Sequence, residues 1–253
     1  MPADAEKYDR MSVADRLEQI RDNLSENERL VAEAFILLCS GATLETTSFY
    51  EFLHWWALCG YTYEGAINHL IRYKFKGGQS SFATKFFGEA LASGNLTYSF
   101  NEPIASVRDV GARVDVTARS GKTYSATKMI CCIPLNVLKD VTFEPPLPEG
   151  KANAAQTGHV NQTIKIHAEV SNRDLRSLTA ISYPQNGMIF GLGDGETPAG
   201  NTHIVAFGAQ HNHFHPEDDI EKTKEAMRGF APMDITRIVS CSNTIYRHMD
   251  HAY

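Results

Sequence analysis

The sequence has no apolar run near the roughly 18 residues a membrane span needs, so none is expected. It has no basic excess: 24 Lys and Arg stand against 30 Asp and Glu, for a formal net charge of −6. No basic stripe stands out, which argues against nucleic acid as a partner. Cysteine is sparse and odd in number, five in 253 residues, which fits a reducing compartment better than a disulfide framework. The opening Met1-Pro-Ala-Asp-Ala-Glu6 has neither a basic start nor an apolar core, so no secretory leader is read there. An intracellular location, cytoplasmic or peroxisomal, is the expectation. Low complexity is missing too, since 43% hydrophobic and 21% charged residues are ordinary globular proportions. The length allows one large domain or two small ones.

Nucleotide-binding and nucleophile motifs are also wanting. Gly191-Leu-Gly193-Asp-Gly195 has the wrong spacing for a dinucleotide loop and runs into Thr-Pro-Ala-Gly instead of a helix. It reads as a hairpin turn. There is no Walker loop and no serine elbow.

What the chain does have begins with helix signals. Ser12 with Asp15 and Ser25 with Glu28 have capping-box spacing. Behind them run the stripes Val13, Leu17, Ile20, Leu24 and Val31, Ala34, Phe35, Leu38, and Gly41 is a stop. Ser48 with Glu51 opens a third helix ending near Gly60; a fourth spans Glu64 to Ile71 and a fifth Ser80 to Ala92. The period then shifts to two. Strands are expected at Leu96–Phe100, Ile104–Val107, Val114–Ala118 and Thr123–Thr127, the last two forming a hairpin. Met129–Ile133 reads as a strand buried on both faces, with Cys131 and Cys132 as inert core thiols. After the rigid Pro145-Pro-Leu-Pro148, alternation puts Ile164, Ile166, Ala168 and Val170 on one face and Lys165, His167 and Glu169 on the other. Further strands fall at Met188–Gly191 and His203–Phe207, and a helix runs from Pro216 to about Phe230. Ser240–Tyr253 shows neither period nor caps.

Two clusters invite chemistry. His211, His213 and His215 alternate, with Glu217 and Asp218 behind them, as metal ligands on a strand would. A polar loop leading into the Pro216 helix explains them better, and no metal is assigned. Trp55, Trp56, Tyr61 and Tyr63 cluster as core aromatics do. On pattern alone, Lys165 belongs to a solvated strand face.

Several stretches in order change that reading: Ala34–Gly41, Glu51–Trp56, Tyr73–Gly78, Asn101–Ile104, Cys132–Leu138, Phe143–Pro148 and Thr163–Ile166. Together they resemble the flavin-containing monoamine oxidases, most closely the fungal type, from about residue 8 to 238. The resemblance implies an α+β chain: the substrate domain of a flavin amine oxidase, with a mixed sheet flanked by helices, plus a β-meander of the FAD-binding domain. Residues 1–94 would be the helical part of the substrate domain, 95–148 the meander, 149–238 the substrate-domain sheet and helix, and 239–253 a divergent tail. It implies FAD as cofactor and a small-molecule amine as substrate, with homo-oligomerisation left open.

The same resemblance assigns residues. Pro103 and Ile104 match positions at the adenine end, and Cys132, Ile133 and Pro134 a strand end near the flavin. Lys165 matches the lysine that faces flavin N5 through a water, and Leu38, Cys39, Ala42, Ile71 and Phe190 match the substrate cavity. The reaction implied is hydride transfer from the carbon beside nitrogen to flavin N5, with oxygen reduced to peroxide. The family's Gly-rich dinucleotide loop and its C-terminal aromatic pair have no counterpart in this sequence. The expectation is therefore an incomplete or inactive form, truncated at both ends, with little FAD binding. The alternative is a flavin-free small-molecule-binding or non-redox protein on the substrate-domain scaffold.

Overall fold

Local capping chemistry starts the N-terminal helices. In the computed structural model α1 spans Ala3–Asp9 and α2 Val13–Gln19. The Ser12 N–H donates to the Asp15 carboxylate at 3.0 Å, and the Asp15 N–H donates to Ser12 Oγ at 3.0 Å. Ser25 and Glu28 repeat the arrangement ahead of α3, Glu26–Ser40, which ends on Gly41 at φ 64. Ser48 Oγ accepts from the N–H groups of Tyr50 and Glu51 at the start of α4, Phe49–Leu58. These side chains take up N–H groups that no preceding turn satisfies. Val13, Leu17 and Ile36 then bury themselves against Ile20, Leu24, Leu44 and Phe52.

The structure describes residues 3–159, 161–210, 212, 214–216 and 218–243, with residues 3, 70, 71 and 240–243 described through their backbone alone. They divide into two units, residues 3–57 with 161–243, and residues 58–159.

In the second unit α5, Tyr63–Ala66, runs into a π turn at Ile67–Ile71, and α6, Gly78–Ala92, buries none of its residues. Strands β1 (Ile104–Asp109), β2 (Val114–Ala118) and β3 (Thr123–Ala126) form an antiparallel meander, closed by Gly121 at φ 88. After α7, Leu135–Leu138, strand β4 (Thr142–Glu144) pairs parallel to β1, and α8 covers Glu149–Thr157. The sheet order is β3-β2-β1-β4.

Two expectations fail here. Leu96–Phe100 forms no strand, and neither does Met129–Ile133. Ile130 is 88% exposed, and Cys131 and Cys132 are exposed thiols, not core residues. An apolar run becomes a strand only where a neighbour takes up its backbone groups, and Met129–Ile133 pairs with neither edge strand of this sheet, β3 or β4.

The first unit contributes a fully antiparallel sheet in the order β6-β7-β8-β5-β9. Its strands are β5 (Ile164–Val170), β6 (Thr179–Ile181), β7 (Met188–Glu196), β8 (Thr202–Gly208) and β9 (Ile235–Asn243), with α9 at Ile220–Arg228. The alternation in β5 holds: Ile164, Ile166, Ala168 and Val170 are at most 2% exposed and pack with Ile204, Ala206, Met227 and Met233. At about 25 cal/mol per Å² of apolar surface removed from water, this is the dominant source of stability for the unit.

Corrections follow here too. Gly191–Gly195 lies within strand β7, not in a hairpin turn. A Cβ on Gly191 would come within 2.9 Å of the Phe230 ring, and one on Gly193 would strike the Arg176 carbonyl. These glycines thus serve close packing. Residues 240–243 are strand, paired with β5, while 244–253 lie outside the described residues. The Pro216 helix begins later, at Ile220, because Asp219 accepts from the N–H groups of Glu221 and Lys222. Among the described residues no helix is long and apolar enough to cross a membrane.

Candidate functional site

The face of the five-stranded sheet opposite its core gathers the chemistry. Antiparallel register sets Lys165 on β5 beside Phe207 on β8, and the Lys165 ammonium stands 5.2 Å from that ring's centroid. Phe207 packs in turn against a cluster of Ala34, Leu37, Ile189 and Phe190, with Leu38 beside it. Three of the expected residues thus lie on or beside one cluster: Phe190 within it, Leu38 packed against it, and Lys165 over Phe207, which also packs against it and which the sequence reading did not single out. Cys39 is half-buried and Ala42 is 7% exposed, both at the end of α3. The side chain of Ile71 lies outside the described residues.

The end of α3 is fastened to both strands of this face. The Gly41 carbonyl accepts from the N–H groups of Gln162 and Thr163 at 2.9 and 3.1 Å, one residue short of β5. Gln210, just past β8 and 2% exposed, donates from Nε2 to the Leu37 carbonyl at 2.9 Å. Tyr183 Oη donates to the buried Glu33 carboxylate at 2.9 Å, and burial followed by that carboxylate pushes its phenol up to about 12.

Farther along the same face the strand alternation puts His167 next after Lys165. His167 Nδ1 lies 3.0 Å from His203 Nε2, the rings nearly parallel at 11°. His203 Nδ1 lies 3.2 Å from the Asp194 carboxylate on β7. Burial first, then the Lys165 charge and the neighbouring His203, push His167 down to about 4, with Asp194 opposing. Glu169, placed by sequence on a solvated face, is only 5% exposed. Its carboxylate accepts from Asn201, Thr197 and Arg237 at 2.8 to 3.0 Å, which hold it below the ordinary carboxylate range. Sequence alternation could place His167 on this face. Its partners on β7 and β8 depend on strand register, which no local signal carries.

In the other unit, a pocket of about 420 Å³ is lined by Pro103, Ile104, Ile133, Asn101, Glu102 and Arg119, among others. It brings together three of the five positions expected at the cofactor. Cys132 is exposed, and Pro134 caps α7. The expected histidine cluster is only partly described. His211, His213 and Glu217 lie outside the described residues, and His215 and Asp218 line a separate pocket with Asp219 and Lys222. Among the described residues no group of three or more His, Cys, Asp or Glu could hold a metal.

Comparison with known proteins matches residues 2–246 to the family described as flavin containing amine oxidoreductase. Pseudooxynicotine dehydrogenase of a Pseudomonas species is 27% identical over 121 residues, 48% of this chain and 23% of that enzyme. Polyamine oxidase 3 of Oryza sativa subsp. japonica is 36% identical over 85 residues, 32% of this chain and 18% of that enzyme. Among solved structures, a putrescine oxidase with redesigned cofactor binding superposes with TM-score 0.78 at 17% identity, over 96% of this chain and 54% of that one. Cyclohexylamine oxidase from Brevibacterium oxydans IH-35A gives 0.66 at 14%, over 95% and 54%. The chain thus spans about half the length of these solved structures and less of the curated relatives.

Proposed function

The chain belongs to the flavin-containing amine oxidoreductase family, and from that premise we propose that it serves the oxidation of a monoamine with an apolar substituent. The observation that carries the reading is the Lys165 ammonium over Phe207, beside Leu38 and Phe190. A fixed positive charge over the ring disfavours a second cation there and favours the neutral amine. Only a neutral amine has the nitrogen lone pair that assists loss of hydride from the adjacent carbon. The apolar side chains exclude water and accept an alkyl or aryl group. The carboxylates on this face are engaged, Glu169 with Asn201, Thr197 and Arg237, and Asp194 with His203. This supports a monoamine over a polyamine.

The cofactor implied by the family is FAD. The pocket in residues 99–141 has a lining that suits part of it: the apolar Pro103, Ile104 and Ile133, with the polar Asn101, Glu102 and Arg119. Its volume of about 420 Å³ is at the small end of ligand pockets and suits a nucleoside-sized portion. When bound, flavin supplies a two-electron acceptor for the carbon–hydrogen bond beside nitrogen. Pro103, Ile104 and Ile133 would hold it, while Lys165 orients water and steers the protonation state of the amine.

The test is amine-dependent peroxide formation by the full chain at saturating FAD, with benzylamine and putrescine as alternatives. Benzylamine is expected to be the better substrate. Lys165→Met, which keeps the apolar stem, is expected to lower the rate about 100-fold with a smaller change in KM. Absence of peroxide from every amine tried would overturn the reading.

A further inference from the structure

His167, His203 and Asp194 are not explained by binding an amine or a flavin, yet their geometry is specific. The Asp194 carboxylate, 3.2 Å from His203 Nδ1, can only accept when ionised, so it selects the tautomer of His203 with the proton on Nδ1. That leaves His203 Nε2 with a lone pair. The 3.0 Å contact to His167 Nδ1 then requires the proton to sit on His167. His167 Nε2 is left as a bare acceptor. Each ring's state is thus dictated by the one before it, starting from a single carboxylate.

The ends of this chain differ. On β5, His167 follows Lys165 on the same face, about 7 Å away along the strand. Asp194 and His203 keep 31% and 23% of their side-chain surface in solvent. The charged groups that act on His167 are Lys165 from β5 and Asp194 from β7, with His203 between; Glu169 on β5 and Arg237 on β9 pair with one another. Glu169 is turned to Arg237 and its other partners, so Asp194 is the carboxylate that faces the imidazoles.

We propose that Asp194, His203 and His167 form a reversible proton relay, which keeps a neutral imidazole acceptor beside Lys165 and shuttles a proton between there and the solvent edge of the sheet. The inference rests on the amine-oxidation reading only for the identity of the proton donor. An alkylammonium gives one proton to His167 Nε2, and the Nδ1 proton of His167 moves to His203 Nε2. The positive charge comes to rest on His203 beside the Asp194 carboxylate. No electrons change hands, and the proton returns along the same two hydrogen bonds to the next basic species in the site. His167 is the acceptor; His203 and Asp194 are positioning residues that act through it. The charge of Lys165 makes the arrangement useful, because it disfavours a second positive charge on His167 itself and pushes the proton outward.

The test reads the tautomers directly. Long-range 1H–15N correlation spectra of the full chain, labelled with 15N-histidine, are recorded at neutral pH without added ligand. Both rings are expected as the Nδ1–H tautomer; either one as the Nε2–H tautomer or as imidazolium overturns the relay. Asp194→Asn, with folding checked by the backbone amide spectrum, is expected to cost both rings their dominant Nδ1–H form. If only His203 responds, the rings are not coupled and the relay is overturned. Failure of amine turnover with both tautomers as expected counts against the oxidase reading and supports the relay. Turnover with the rings in the other tautomer does the reverse.

Discussion

A depressed histidine makes a stability statement at the scale of one residue. His167 titrates near 6.5 in an unfolded chain and near 4 in the folded one. Between those values the unfolded chain binds the additional proton, so stability falls as pH drops through the window and is unaffected above it. At 1.4 kcal/mol per unit, and discounted for solvent screening of a half-exposed ring, the loss is about 2 kcal/mol. Urea midpoints at pH 7 and pH 4.5 are expected to show this difference in the wild type and a smaller one in His167→Gln. The carboxylates that titrate in the same range are common to both proteins and cancel in the comparison. An equal loss in the two would show that the ring is not held neutral by its surroundings.

At the scale of elements, the end of α3 holds the site together. Gly41 sits at φ 64, where a side chain is strained, and a Cβ there would collide with the Asn161 side chain. Its carbonyl also anchors Gln162 and Thr163 just ahead of Lys165. Gly41→Ala is therefore expected to cost about 1–3 kcal/mol of stability and to disturb Lys165. The checks are chemical denaturation and the chemical shift of the Lys165 side chain, which lies in the ring-current field of Phe207. Unchanged values of both would contradict the anchoring role. The sequence displays this helix end openly, because a cap is a matter of four or five neighbouring residues: Ser25, Glu28 and Gly41 suffice. Strand partners are another matter. His167 and His203 meet across 36 positions of sequence, and β9 was not read although Ile235, Thr236, Ile238 and Val239 are β-branched, because the run is short and its partner β5 lies more than 60 residues away. Met129–Ile133 misled for the converse reason. Its composition is that of a buried strand, but composition cannot say whether a neighbour is present to pair with it. Resemblance singled out Lys165 and Phe190 as positions to look at, whereas Phe207 and Asp194, which stand beside Lys165 and His203, depend on register and carry no local signal.

At the scale of the molecule, net charge and exposed apolar surface oppose one another. The charge of −6 favours dispersal in solution, while α6 presents rings to water. Phe82 stacks on Phe75 at 5.1 Å and on Phe86 at 6.3 Å, and the three are 52% (Phe75), 50% (Phe82) and 69% (Phe86) exposed. Because α6 buries none of its residues, these rings contribute little to the stability of their own unit. Ring–ring contact is worth about 0.5–1.5 kcal/mol per pair, and the exposure of so much apolar surface offsets part of that. The double substitution Phe82→Ser with Phe86→Ser is therefore expected to change unfolding free energy by no more than about 1 kcal/mol. It should also reduce binding of a hydrophobic dye and raise solubility at high salt, where charge repulsion is screened within a few ångströms. Dye fluorescence and the salt dependence of light scattering measure the surface effect; urea denaturation measures the other. A large loss of stability would mean the stacked rings hold α6 in place. Unchanged dye binding would mean that the exposed surface of consequence lies elsewhere, with Ile130 at 88% exposure the next residue to replace.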